Sequence, residues 1–187
     1  MKRIAMIVLS MIFALSISGS AAINEGIKFD LRDEGRARGI LLEVDYDLSV
    51  EKLMEQGGHI WKFGDIDSDH YPSQKTGKAA LRIMFMRFYG PMKTQEMLKK
   101  IDAAGYRPAD LKELLAIGIA YPEMQKRNRI FALGSSGPTI EVLCDDVILP
   151  SLSMIGDDRA VAVGCLYYSA PNRSEAIGDF EVAVIRK

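Results

Sequence analysis

The chain is poor in the residues on which several protein classes depend. Its 187 residues include two cysteines, two histidines and one tryptophan, and its formal net charge is -1 at pH 7. So few cysteines exclude a small scaffold built on several disulfides. A charge so close to zero leaves no basic footprint for nucleic acid, so we predict no nucleic-acid partner. The hydrophobic share of 48% excludes a disordered chain and is typical of a folded protein.

The sequence also lacks the motifs of common enzyme classes. It contains neither the G-x-G-x-x-G fingerprint of dinucleotide-binding proteins nor the G-x-x-x-x-G-K-[ST] loop that cradles phosphates. The segment Gly134–Gly137, GSSG, does not have the spacing of a nucleophile elbow. A serine triad needs a histidine within reach of a serine and a carboxylate, and the sequence spacing suggests none. We therefore predict no cofactor and favour a non-catalytic protein over an enzyme.

The N-terminal segment has the three parts of an export signal. Two basic residues, Lys2 and Arg3, precede an apolar run over residues 4–17, and small residues follow. Ser20 and Ala22 provide the pair of short side chains that a signal peptidase accepts. The apolar run is shorter than the roughly 20 residues that cross a bilayer as a helix. The pattern predicts a cleaved signal peptide.

This signal sets the domain organisation. We predict a signal peptide over residues 1–22 and a single mature domain over residues 23–187, in which residues 23–38 form a loose N-terminal extension. A chain of this length buries roughly 70% of its unfolded surface and needs no covalent staples. The mature protein would be periplasmic or extracellular. If the signal is not cleaved, residues 4–22 anchor the protein in the membrane instead.

Export would place the two cysteines in an oxidising compartment. Cys144 and Cys165 lie in the apolar runs IEVLC and VAVGCLYY, which are typical of buried strands. Two interpretations stay open. A disulfide between them would close a loop of about 20 residues and add about 3 kcal/mol of stability. Otherwise both are buried thiols that pack as small hydrophobic groups.

Alternating apolar residues predict strands at both ends of the mature chain and helices between them. Gly39–Leu48 alternates as a half-buried strand does, and residues 78–89 form a second long strand. We expect three helices, which start at the capping residues Ser49, Thr94 and Asp110. Glu113 completes a capping box in the third, and Gly118 and Pro122 are expected to end it. Further short strands are predicted in RIFAL, TIEVLC, AVAVGCLYY and DFEVAVI. The fold class is therefore mixed α+β.

The acidic segment Asp65–His70, DIDSDH, is the best candidate for a metal site. An EF-hand calcium loop needs glycine at its sixth position and glutamate at its twelfth. Those positions hold His70 and Thr76, so we favour a solvated acidic turn and predict no metal. As an alternative, His59, Asp65 and His70 would form a zinc site of two imidazoles and one carboxylate.

Aromatic and polar residues supply the candidates for a binding surface. Trp61 lies in the alternating run HIWKF, either as a core residue or as a platform for a ligand. Tyr167 and Tyr168 are consecutive, so one of them faces outward from a strand. Tyrosine suits a contact surface because it gives both area and a hydrogen bond. We predict binding contacts from Tyr168, Asn172 and Arg173 and, second, from Asp157 and Asp158.

Longer motifs carry a resemblance to a known family. The segments VDYDLSVEKLMEQGGHIWKFGDIDSDHYP, GYRPADLKELLAIGIAYPEMQ, IFALGS and the terminal FEVAVIRK stand in this order in the chain. With the same order and spacing, they resemble an uncharacterised family of small bacterial proteins that end in a FEVAVIRK-like strand. The resemblance covers about residues 44–187 and implies an architecture rather than an activity.

A looser resemblance concerns the helix start GYRPADLKELL. It is similar to that of C-type-lectin-like domains of the formylglycine-generating-enzyme and retroelement variable-protein types. This resemblance implies a C-type-lectin-like domain of short strands and two or three helices. It also implies ligand-facing loops within Leu133–Ser153 and Tyr167–Gly178. The Trp-Asn-Asp and Glu-Pro-Asn calcium signatures of lectins are absent from the sequence, so calcium-dependent sugar binding is not implied.

The leading hypothesis is an exported, non-catalytic binding module that presents contact loops on an α+β scaffold. Its partner would be a protein or a small-molecule ligand of unknown identity, with membrane contact only if the signal is uncleaved. One alternative is a small metal-dependent hydrolase that uses His59, Asp65 and His70. Another is a structural envelope protein.

Overall fold

The computed structural model describes residues 27–29, 39–88, 92–135, 148–164, 167–170, 173–176 and 180–187. For residues 27–29, 167–170 and 173–176 it describes the backbone alone. The signal segment, both cysteines and Asn172 lie outside the described residues. Within the described ranges, no helix combines the length and the apolar content that a bilayer crossing requires.

Three helices and eleven strands make up the regular structure of the described ranges. The helices are α1 (Val50–Gln56), α2 (Thr94–Ala103) and α3 (Leu111–Ala120). The strands are β1 (Ile27–Phe29), β2 (Ile40–Asp45), β3 (Trp61–Phe63), β4 (Lys78–Phe88), β5 (Tyr106–Pro108), β6 (Arg129–Phe131), β7 (Leu149–Ile155), β8 (Asp158–Gly164), β9 (Tyr167–Ala170), β10 (Arg173–Ala176) and β11 (Phe180–Arg186). This mixture confirms the α+β class.

Nine of these strands form one mixed sheet in the order β1–β4–β11–β6–β7–β8–β3. The long strand β4 also pairs with β2, and β11 also pairs with β5. Two pairings are parallel, β6 with β11 and β3 with β8, and the others are antiparallel. The remaining strands, β9 and β10, form a separate antiparallel hairpin. The strand β3 is therefore an edge strand, at the opposite end of this order from β1.

Helices cover both faces of this sheet. On one face, α1 and α3 pack over β2 and the centre of the sheet in a core that contains Leu53, Leu114 and Ile130. On the other face, α2 packs its buried Met97 and Ile101 over β4 and β11. Because β11 is buried on both faces, its run FEVAVI is continuously apolar apart from Glu181.

Most of the predicted elements are confirmed. The strands β2 and β4 lie where the alternation placed them, and the Ser49 hydroxyl accepts a hydrogen bond from the Lys52 amide at the start of α1. The Asp110 capping box is also present, since Asp110 Oδ1 accepts from the Glu113 amide and Glu113 Oε2 accepts from the Asp110 amide.

Three expectations are wrong in detail. Lys93 rather than Thr94 is the N-cap of α2, and Thr94 is its buried first residue. The helix α3 continues past Gly118 to Ala120 and, with Tyr121 as its C-cap, ends just before Pro122, the second of the two predicted stops. Residues 149–153, within the segment expected to hold ligand-facing loops, instead form most of the strand β7. Their side chains are buried because both faces of β7 are covered: Leu152 lies in the core under α1 and α3, and Leu149 lies in the core under α2.

Candidate functional site

The last strand of the sheet, β3, carries two exposed aromatic rings. Trp61 and Phe63 are each 45% exposed, and Ile60 just before them is 71% exposed. The two rings share one face of the strand because they are two residues apart. Their centroids lie 6.3 Å apart with an angle of 20° between the planes, so they stack. The interpretation of Trp61 as a core residue is therefore wrong.

The neighbouring strand explains why these rings are open to solvent. In the parallel register, Trp61 lies beside Ala160 and Phe63 lies beside Ala162. Paired residues point to the same face of a sheet, so the residue in register with each ring on β8 carries only a methyl group. The rings consequently stand above small side chains.

A carboxylate fixes the orientation of the indole. The Trp61 Nε1 group donates a hydrogen bond of 3.0 Å to Oδ2 of Asp158. Asp158 begins β8 after a two-residue turn, in which Gly156 has a φ of 60°. It pairs with Ile155, itself 40% exposed, so Ile155 shares the face of the rings. We call the surface formed by Trp61, Phe63, Ile155 and Asp158 the aromatic platform.

The predicted contact residues divide between two places. Asp158 belongs to the aromatic platform, and Asp157 is exposed in the turn beside it. Tyr168 lies in β9 opposite Glu175 of β10, and Arg173 lies opposite Ala170 in the same hairpin. The structure describes only the backbone of that hairpin, and Asn172 lies outside the described residues.

His59 is wedged between two helices directly before the platform. A Cβ atom built on Gly57, the C-cap of α1, would lie 2.4 Å from the His59 ring. A Cβ atom built on Gly118 of α3 would lie 2.9 Å from His59 Nε2. Both distances are too short for a real contact, so the absence of a side chain at each glycine makes room for the imidazole.

The His59 imidazole is neutral at pH 7. Burial lowers its pKa to about 4, and the nearby positive charge of Arg159 contributes to this shift. Nδ1 lies 3.4 Å from the carbonyl oxygen of Met54, and Nε2 has no hydrogen-bond partner in the described part of the chain. This environment is that of a packed histidine.

His70 lies in the exposed acidic turn, as the sequence predicts. Asp67 Oδ1 accepts a hydrogen bond of 2.8 Å from the His70 amide and lies 2.7 Å from His70 Nδ1. The side-chain bond to Asp67 raises the pKa of His70, and the negative charges of Asp67, Asp65 and Asp69 add to this shift. Asp65, in the same turn, is exposed. Among the residues with described side chains, no three metal-ligating groups converge.

A buried ionic network holds the start of α3. Glu113 is fully buried and accepts hydrogen bonds from Tyr46 (2.5 Å), Lys75 (2.8 Å) and Arg107 (2.8 and 3.0 Å). Lys75 also bonds to Asp110 Oδ2 at 2.7 Å. Burial alone would raise the pKa of Glu113, but the bonds from Arg107, Lys75 and Tyr46 outweigh it and lower that pKa to about 2.

The sequence revealed only part of this network. The capping box identified Asp110 and Glu113, whose spacing of three residues is a local signal. Tyr46 and Lys75 come from distant parts of the chain and carried no such signal, whereas Arg107 lies only six residues before Glu113. Both carboxylate oxygens of Glu113 accept hydrogen bonds from these groups and from the Asp110 amide. The network therefore acts as a structural anchor for the start of α3.

Comparisons with known proteins add no assignment. No protein-family model, curated protein or solved structure matches the chain. The functional argument therefore depends on the geometry of the described residues.

Proposed function

We propose that this protein is an exported, non-catalytic binding module that contacts its partner through the aromatic platform. One observation carries the proposal: the single tryptophan of the chain is exposed, stacked on Phe63 and hydrogen-bonded to Asp158. An exposed tryptophan is a costly feature unless a partner covers it, and tryptophan is enriched among the residues that dominate binding energy.

The support beneath the platform favours binding. The rings stand on a sheet whose strands β7 and β8 pair over seven residues, so the backbone that carries them is firmly held. The bond to Asp158 restricts rotation of the indole before any partner arrives. A surface that is already ordered loses less conformational entropy on association. The platform is consequently prepared for contact.

Two finer features belong to the same proposal. The first is a C-type-lectin-like arrangement, which is supported by the helix start at Asp110 and by the central position of the terminal strand β11. The second is export, which is supported by the apolar N-terminal run and the small residues before Ile23. The hairpin of β9 and β10, with Tyr168 and Arg173, supplies a second contact region in this proposal.

Removal of the tryptophan ring tests the proposed surface. The probe is a random 12-residue peptide library displayed on phage and panned against the purified protein. We expect clones selected on the wild type to bind the Trp61→Ala variant at least about tenfold more weakly, since loss of a central aromatic contact costs 2 kcal/mol or more. Binding is measured by titration of immobilised protein.

The matched control is Leu41→Ala, which removes another exposed apolar side chain, from β2. Clones should bind this variant as they bind the wild type. If panning enriches no clone, or if the enriched clones bind the Trp61→Ala variant unchanged, the proposed surface is wrong.

Export is tested by the mass of the protein recovered outside the cytoplasm of a bacterial host. We expect a chain that starts near Ile23, because cleavage should follow Ala22. A recovered chain that retains Met1 would contradict cleavage and favour the membrane-anchored alternative.

A further inference from the structure

We propose that the partner is a basic polypeptide segment that lays an arginine side chain on the aromatic platform, with its guanidinium beside the carboxylate of Asp158. This inference rests on the proposed function, since it names the chemistry of the partner that the platform receives. It is carried by the exposed rings, by the position of the carboxylate and by the sign of the charges around them.

The exposed rings present the electron-rich faces that attract cations. Trp61 and Phe63 each keep 45% of their surface open to solvent. The face of an aromatic ring carries partial negative charge, and tryptophan binds cations best among the aromatic side chains. The indole also donates its hydrogen bond to an anion, Asp158, which polarises the ring and makes its face more negative. The rings therefore favour a positively charged ligand over an anionic one.

The carboxylate of Asp158 lies where it adds to this attraction. Its Oδ2 atom accepts from Trp61 Nε1, which donates in the plane of the indole, so the carboxylate lies at the edge of the ring. A cation held over the ring face is consequently next to this carboxylate as well. The other oxygen, Oδ1, accepts no hydrogen bond from a residue that the structure describes, so it is available to a guanidinium.

The charges around the platform have one sign. Asp157 adds a second exposed carboxylate directly before the one that bonds to the indole. The nearest cations along the chain point elsewhere. Lys62 lies between the two rings on β3, so its side chain points to the opposite face of the sheet. Arg159 donates to the carbonyl oxygen of Gly118 in α3. The platform consequently faces a partner with negative charge.

The combination of rings and carboxylate favours arginine over lysine. A guanidinium is planar, so it stacks on an aromatic face while its N–H groups donate in their own plane to a carboxylate. An ammonium is a compact and strongly hydrated point charge, so it gives up more hydration on the same surface. We therefore expect a preference for arginine at the rings.

The width of the platform favours a polypeptide over a small cation. The rings lie on β3 and Ile155 lies on β7, with β8 between these strands. Two strand spacings amount to about 10 Å, so one arginine covers only part of the surface. An apolar residue near the arginine would cover Ile155, which is 40% exposed. The two carboxylates disfavour a bilayer of anionic lipids, the other large surface that exposed aromatic rings fit.

Replacement of the partner's arginine by citrulline tests the charge. The probes are capped synthetic peptides with the sequences selected in the panning, which should contain arginine near apolar residues. Citrulline keeps the shape of arginine and removes its charge. We expect it to weaken binding about 3- to 30-fold in titration calorimetry, because the ring contact and the ion pair are both lost.

The variant Asp158→Asn tests the carboxylate, since asparagine keeps an oxygen that accepts from the indole. Replacement by citrulline should weaken binding to this variant about two- to fivefold less than binding to the wild type. The control Asp69→Asn makes the same change at an exposed position of the acidic turn and should respond as the wild type does. An equal effect of citrulline on Asp158→Asn and the wild type would refute contact between the arginine and Asp158.

The single tryptophan allows a direct test of the ring. Biosynthetic incorporation of monofluorinated or trifluorinated tryptophan changes Trp61 alone, because the chain has no other tryptophan. Fluorine draws electrons from the ring face but preserves the apolar surface. Affinity for the arginine peptides should fall stepwise with fluorine content, by about two- to fivefold in total, whereas the citrulline peptides should bind all three proteins alike. An affinity that does not depend on fluorine content would rule out the contact between cation and ring.

The outcomes distinguish the two proposals. If the selected peptides depend on Trp61 but contain no arginine or tolerate citrulline, the cationic partner is wrong and the binding module stands. If panning yields no peptide whose binding depends on Trp61, both proposals fall. Trp61-dependent binding to phosphatidylcholine vesicles that is tighter than binding to every selected peptide would make the platform a membrane contact and overturn the polypeptide partner.

Discussion

Replacement of Glu113 by alanine is expected to lower the free energy of unfolding by about 3–5 kcal/mol. The change leaves the guanidinium of Arg107, the ammonium of Lys75 and the hydroxyl of Tyr46 without their shared acceptor. It also removes half of the capping box at the start of α3, where Glu113 bonds to the Asp110 amide. Charged groups that lose a buried partner keep their desolvation cost, which is why the effect is large.

Urea denaturation of the purified protein measures this effect. The midpoint should fall with an unchanged m-value, and the thermal midpoint should fall by about 6–20 °C for a chain of this size. The control Glu55→Ala removes an exposed carboxylate whose partner is Lys52, three residues earlier on α1, so it should change stability little. Equal stability of the two variants would show that the network does not anchor α3.

The same carboxylate gives the protein a defined sensitivity to acid. Because the folded state lowers the pKa of Glu113 from 4.5 to about 2, its contribution is present above about pH 5. As the pH falls from about 5 to about 2, the unfolded state takes up a proton that the folded state resists, and stability is lost. The Glu113→Gln variant should show a shallower decline across this range. Parallel curves for the two proteins would contradict the assignment.

A methyl group added at Gly118 is expected to clash with the His59 ring, and this clash should lower the free energy of unfolding by about 1–3 kcal/mol. The new Cβ would lie 2.9 Å from Nε2 and 3.0 Å from Cε1 of His59, and 3.3 Å from Leu152. The ring cannot move away toward α1, since the backbone at Gly57 closes that side. In a helix interior, alanine is normally more stabilising than glycine by about 1 kcal/mol. The Gly118→Ala variant should therefore lose less stability than the steric clash alone would cost.

A double-mutant cycle isolates this conflict. In a His59→Ala background, the ring is gone, and Gly118→Ala should become neutral or stabilising by up to about 1 kcal/mol. The coupling between the two sites should therefore be about 1–3 kcal/mol when it is measured by urea denaturation. Additive effects of the two changes would mean that His59 does not occupy the space at Gly118.

Local signals predicted the elements whose structure depends on near neighbours in sequence. The alternation of Leu42 and Val44 located β2, and both side chains are buried as expected. The spacing of Asp110 and Glu113 located the start of α3. Gly118 was wrong as a stop signal for α3, since its lack of a side chain serves the packing of His59, and the helix ends just before Pro122 instead.

The candidate site required information that no single segment contains. The alternation in HIWKF is compatible with a buried strand or an exposed one. Trp61 is exposed because β3 is the last strand of the sheet and lies beside alanines of β8, about a hundred residues later in the chain. The sequence did identify Asp158 as a candidate contact residue, but its bond to Trp61 depends on that same long-range pairing.

By itself, the sequence determined the α+β class, the helix caps at Ser49 and Asp110 and the exposed acidic turn at Asp67, because hydrophobic periodicity and capping act over a few residues. The tertiary structure alone decided which strand lies at the edge of the sheet, which glycines admit a ring, and that Lys75 and Tyr46 reach Glu113. Those features depend on contacts between segments far apart in the chain, and the identity of a residue does not reveal which distant segment will lie against it.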